Sequence, residues 1–274
     1  MSLPLSLDVA REESYALGLA RAGAGALIFG FPLLMTMEMW AFGVHMGRLR
    51  LALFLAVIAV VVFGLSRFAG FRDETDVFDD LLDSAAAVLV GITVSAVLLL
   101  LLGVIGVHTP LREALGAVAV QAAPASIGAI LANRQLQAHA PDAPKEDRAG
   151  YLGQLFLMTA GALFFAFTVG PTEEMILIGF KMTAWHSLAL VAASLLVLHA
   201  LVFTVGFAGQ EDRENHAQAF AQFTLPGYGI ALLVSLYILW TFGRLDGGLS
   251  DAVRAVAVLG FPAALGAALA RLVV

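Results

Sequence analysis

The sequence predicts an all-α, polytopic membrane protein with about eight transmembrane helices, built as two tandem four-helix repeats whose first helices are broken or kinked. Three observations predict it: apolar blocks of spanning length, a scarcity of charge, and self-similarity at a shift of about 136 residues. Of 274 residues 60% are hydrophobic and only 13% charged, with a mean hydropathy of +0.90. Soluble domains carry about a quarter charged residues. A helix needs about 20 apolar residues to cross a bilayer, and the apolar blocks reach that length. The alternating ten-residue pattern of a membrane barrel is absent. The bilayer is therefore the first expected partner.

In chain order, spans are expected at about 17–37, 49–66, 84–106, 112–132, 152–171, 185–206, 223–242 and 252–272. The connections with Gly, Pro and charge are 67–83, 133–150 and 209–222, with shorter breaks at 108–112 and 244–250. Met1–Glu13 has no basic region followed by an apolar core, so no cleavable signal peptide is expected. The side bearing the N-terminus collects nine of the 15 Lys and Arg residues and the other side six. That bias puts both termini in the cytoplasm of a plasma membrane, a bacterial inner membrane being the expected setting. The net charge of −6 comes from loops and argues against nucleic acid as a partner. With no cysteine there is neither a disulfide nor a thiolate site, and no metal-ligand spacing such as HExxH occurs. No metal or cofactor is expected.

The repeat is carried by polar and turn residues as well as apolar ones. Ala24–Phe31 falls on Ala160–Phe167, Tyr15 on Tyr151, Thr36-Met37-Glu38-Met39 on Thr172-Glu173-Glu174-Met175, and Gly70-Phe71 on Gly206-Phe207. With two further residues inserted, Leu111–Ala132 falls on Leu249–Ala270, Pro124 meeting Pro262. The expected organisation is a tail 1–10, a first repeat 11–134, a linker 135–146 and a second repeat 147–274. An even number of crossings brings the second repeat in from the same side, which implies parallel repeats about an axis along the membrane normal.

One continuous helix from Tyr15 to Met46 would be roughly 48 Å long, against a hydrocarbon core of about 30 Å. It must bend or break, and Pro32 and Gly170-Pro171 stand just before the two Thr-x-Glu segments. Glu38 and Glu174 then occupy equivalent places in apolar surroundings, where an ionisable group costs at least about 2–3 kcal/mol near the bilayer centre. They are the candidate ion-binding or pathway residues, with Glu173 beside them and Thr36 and Thr172 as accessory oxygen donors. The other reading is that both carboxylates sit at headgroup level near His45 and Lys181. Asp73, Glu74, Asp76, Asp79, Asp80 and Asp83, and Glu211, Asp212 and Glu214, form acidic loops that either concentrate cations or are simply solvated. His199 is embedded in a span, as a packing residue or a proton relay.

Thr36–Trp40, Phe68–Arg72, Phe164–Phe167, Pro171–Glu174 and Val205–Phe207 together resemble an uncharacterised family of bacterial integral membrane proteins, a domain of unknown function. That resemblance implies membership without an activity. Pro171-x-Glu173-Glu174 with Ser194–His199 is similar to the first two motifs of the Rce1/CAAX-processing intramembrane glutamic proteases. It implies Glu173 or Glu174 as general base and His199 as an orienting or oxyanion residue. The arginine expected four residues after the second glutamate is Ile178, and no later His/Asn motif follows. The expected function is a channel or transporter for protons or monovalent cations. The alternatives are a protease-like hydrolase and a non-transporting scaffold or sensor. A homodimer would give a pseudo-fourfold ring.

Overall fold

A computed structural model describes residues 9–69, 77–137, 150–204, 218 and 220–273. Its regular elements are all helical. They are α1 (Val9–Leu34), α2 (Met37–His45), α3 (Arg48–Ala69), α4 (Val77–Leu101), α5 (Leu111–Gln137), α6 (Tyr151–Val169), α7 (Glu173–Lys181), α8 (Ala184–Thr204), α9 (Leu225–Thr241) and α10 (Leu249–Val273). A π-helical turn, Phe220–Thr224, leads into α9. Among the described residues eight stretches are long and apolar enough to cross a membrane, one in each helix except the nine-residue α2 and α7.

Seven of the eight spans lie within a few residues of their expected limits. The third is displaced: Val77–Leu101 rather than 84–106. Asp79 and Asp80 are not loop residues but form the first turn of α4, where the helix dipole favours negative charge. At the other end Gly103 adopts φ +71°, and its amide and that of Val104 return to the carbonyls of Leu100 and Leu99 at 3.1 and 2.9 Å. Gly243 does the same after α9, with φ +66° and bonds from Gly243 and Arg244 to Trp240 and Leu239 at 3.2 and 2.8 Å. The two turns superpose at a shift of 140 residues.

The break after the first helix is present in both halves. It falls at Met35–Thr36 and at Gly170–Thr172, so Pro32 stays inside α1 while Pro171 lies in the turn itself. The α1 stretch Ala16–Leu34, at about 28 Å, is by itself long enough to cross the hydrocarbon core. The short α2 follows at the end of α1 opposite the N-terminus, the distal face of the bundle, and α7 does the same after α6.

In the first half α5 packs against α1, α2, α3 and α4, and in the second α10 packs against α6, α7, α8 and α9. Small residues allow this. A Cβ on Gly25 would strike the carbonyl of Gly128 and the methyl of Ala132, and one on Gly161 would strike the carbonyl of Gly266 and the methyl of Ala270. The two crossings occur at equivalent positions. Between the halves, α3 packs on α6 and α9: Phe54, fully buried, meets Phe167 and Phe242 at centroid distances of 5.5 and 6.2 Å. No comparable packing of α8 on α1 or α4 exists among the described residues.

The Gly70-Phe71 and Gly206-Phe207 turns lie outside the described residues, as do Asp73, Glu74, Asp76, Glu211, Asp212 and Glu214 and most of the tail and linker.

Candidate functional site

The two breaks are built alike. Thr36 Oγ1 donates to Leu33 O at 2.7 Å, and Thr172 Oγ1 to Val169 O at 2.8 Å. Both threonines hold extended backbone just before the short helix. Each carbonyl also accepts the same threonine's backbone N–H, at 3.2 and 3.0 Å, so the hydroxyl hydrogen is committed while the hydroxyl lone pairs stay available. Glu38 occupies the first turn of α2 and is half-buried, while Glu173 and Glu174 in the first turn of α7 are exposed. None of the three carboxylates is in an ion pair among the described residues. α2 rests on α5 and α7 on α10, so each glutamate belongs to its own half.

His199 is half-buried in α8. Its Nδ1 lies 2.9 Å from Thr224 Oγ1, and its ring stands edge-on to Phe220 in the π-helical turn. It sits about 22 Å along α8 from Ala184, the residue nearest α7. With Glu173 and Glu174 exposed at the distal face, no glutamate–histidine pair is assembled around a common water position.

A set of residues that sequence reasoning passed over lies where α1 and α4 pack on α5. The buried face of α4 is Asp80, Ser84, Ala87, Gly91, Ser95 and Leu99. It runs the length of the span and is small or polar in all but the last position. Asp80, 2% exposed, receives a hydrogen bond from Arg67 Nη1 at 3.0 Å. Ser84 donates to Asp80 O, and Ser126 of α5 donates to Ala122 O at 2.7 Å. Gly91 faces the side chain of Ser126 so closely that a Cβ would collide with it. Gln121 donates from Nε2 to Gly30 O at 2.8 Å, but its Oε1 has no partner, and neither has Ser95 Oγ. Both side chains are 1% exposed.

At the shift of 140 the same face recurs as Thr224 of the π-helical turn and Gly227, Ala231, Ser235 and Leu239 of α9, all buried. Its surroundings have changed. Gln121 and Ser126 correspond, at the shift of 138, to the buried Leu259 and Ala264. Ser235 Oγ is satisfied by Ala231 O at 2.7 Å. Ser95 Oγ and Gln121 Oε1 therefore have no unpartnered counterpart at the equivalent positions 235 and 259 of the second half. The signal available in the sequence was the spacing of Asp80, Ser84, Gly91 and Ser95 along one helical face. Assigning the aspartates to a loop hid it.

Compared with known proteins, the chain matches a family model described as "Putative integral membrane protein (DUF2391)" over residues 18–274. No curated protein and no solved structure matches it.

Proposed function

The chain belongs to the DUF2391 family of integral membrane proteins, and we propose that it carries protons across the bilayer along the polar seam of its first half. The observation that carries this reading is that Ser95 Oγ and Gln121 Oε1 are among the buried oxygens without a partner in the described residues. A buried polar atom without a partner costs about 1–3 kcal/mol, and structures retain few of them. Along a face that begins at Asp80 and approaches the helix bearing Glu38, such atoms are suited to ordering water and relaying protons. Glu38 is the distal proton acceptor, with Thr36 beside it. Asp80, paired with Arg67, is the exchanging group at the opposite end, which faces the cytoplasm if both termini do. Protons are favoured over sodium or potassium because Gly91 and Ser126 meet too closely to pass a hydrated ion. Among the described residues no group of three or more acidic or histidine side chains is placed to hold a cation.

Glu174 is the diverged counterpart: exposed, with Leu259 and Ala264 where the seam has Gln121 and Ser126. The expected result in proteoliposomes loaded with a pH-sensitive dye is a proton flux that Glu38→Gln and Gln121→Leu each reduce about tenfold or more. Glu174→Gln stays within about twofold of wild type, because removing a solvated carboxylate disturbs no relay. Wild-type flux equal to that of empty liposomes, or equal losses in Glu38→Gln and Glu174→Gln, would reject the seam as the pathway.

A further inference from the structure

At the distal face the second half contains a cavity beside Gly179. In the first half Gly43 of α2 lies directly on the backbone of Gly116 of α5. The equivalent residues in the second half are Gly179 and Arg254. The position of a Cβ on Gly179 has no neighbour closer than 3.7 Å. Where the first half has glycine on glycine, the second has Gly179 and Arg254, and a cavity of about 210 Å³ opens between α7 and α10.

Ile176 and Phe180 line it with apolar surface, and Arg244, Asp246 and Asp251 line it with charge. In the first half Arg244 and Asp246 correspond to the uncharged Val104 and Gly106. The opposite charges share one cavity but do not pair with one another. Arg244 is held by its bond from Nη2 to Pro171 O at 2.7 Å and by the Phe42 ring 5.0 Å from its guanidinium carbon. Asp251 lies over the Gly247–Gly248 turn, its Oδ2 only 3.3 Å from where a Gly247 Cβ would stand. A cation and two anions fixed apart around one space suit a ligand that carries both signs. The volume falls below the roughly 300–1,000 Å³ of drug-sized sites and fits a molecule the size of a lipid headgroup.

We propose that this cavity binds a small zwitterion, a primary ammonium joined to an anionic group, with Arg244 taking the anion and Asp246 and Asp251 the ammonium. The ligand is supplied either as the headgroup of an ethanolamine phospholipid or as a free amino-phosphate from the aqueous side.

The test uses the full-length protein, delipidated in detergent and examined by native mass spectrometry with three probes: an ethanolamine phospholipid, a glycerol phospholipid lacking the ammonium, and free phosphoethanolamine. The ethanolamine lipid is expected to be retained about tenfold over the glycerol lipid, the preference that one charge-assisted contact supplies. The double variant Asp246→Asn with Asp251→Asn loses that preference and still binds the glycerol lipid, and Arg244→Gln weakens both lipids. Aspartate-dependent binding of free phosphoethanolamine without a lipid preference identifies the aqueous source. Indifference of all three probes to the aspartate double variant overturns the proposal. That variant keeps Arg244 and its contact to Pro171, so the test stands even if Arg244→Gln does not fold.

Discussion

Gly25→Ala and Gly161→Ala each lower the thermal unfolding midpoint by several degrees, while Gly18→Ala and Gly23→Ala do not. All four substitutions add one methyl to a helix, and on propensity alone alanine is favoured over glycine by about 1 kcal/mol. The surroundings decide the sign. Gly18 and Gly23 have nothing within 4 Å of a built Cβ. At Gly25 and Gly161 the methyl runs into the carbonyls of Gly128 and Gly266. A backbone carbonyl inside a packed helix cannot rotate aside, so α1 must lift from α5, or α6 from α10. Overpacking of this kind costs about 1–3 kcal/mol and outweighs the propensity gain. Intrinsic fluorescence or circular dichroism in detergent reads the midpoint. Equal midpoints for all four variants would mean that these crossings do not hold the bundle together.

Arg67→Gln is the other substitution with a large expected effect. Asp80 is almost wholly buried, and its partner Arg67 supplies the one ion pair among the described residues. Breaking a buried pair from one side leaves an uncompensated charge and costs about 3–5 kcal/mol. Because the Arg67 side chain is itself 44% exposed, solvent offsets part of this and the loss falls toward the lower end of that range. Adding Asp80→Asn removes the stranded charge and restores most of the lost stability. The same double variant stays impaired in proton flux, since an amide does not exchange a proton as a carboxyl does. Recovery of stability without recovery of flux separates the structural role of Asp80 from its proposed role in the pathway.

Hydropathy and helix length made the eight spans legible, because a bilayer demands unbroken apolar stretches and Leu, Val and Ala supply them. The break before each Thr-x-Glu segment was legible as well, since a 32-residue helix is too long for the core. Its position was read less well. Pro32, two residues before the end of α1, is tolerated inside the helix, and the chain turns only at Met35–Thr36. The start of α4 was missed because aspartates resemble loop residues until Arg67 is seen beside Asp80. The polar seam stayed hidden for a related reason. Serine and glycine are ordinary in membrane helices, and only the register of α4 against α5 turns them into a continuous face. The distal cavity was not legible at all, because it arises from the distance between two helices rather than from any motif.

Phe54 makes the contact between the two halves one-sided. It enters the second half between Phe167 and Phe242, whereas its counterpart on α8, Leu190, finds no matching socket on the first half. Two halves that met through identical faces would form a symmetric pair. Here one half is the key and the other the lock. Expressed as separate half-chains, only the unlike pair should complement.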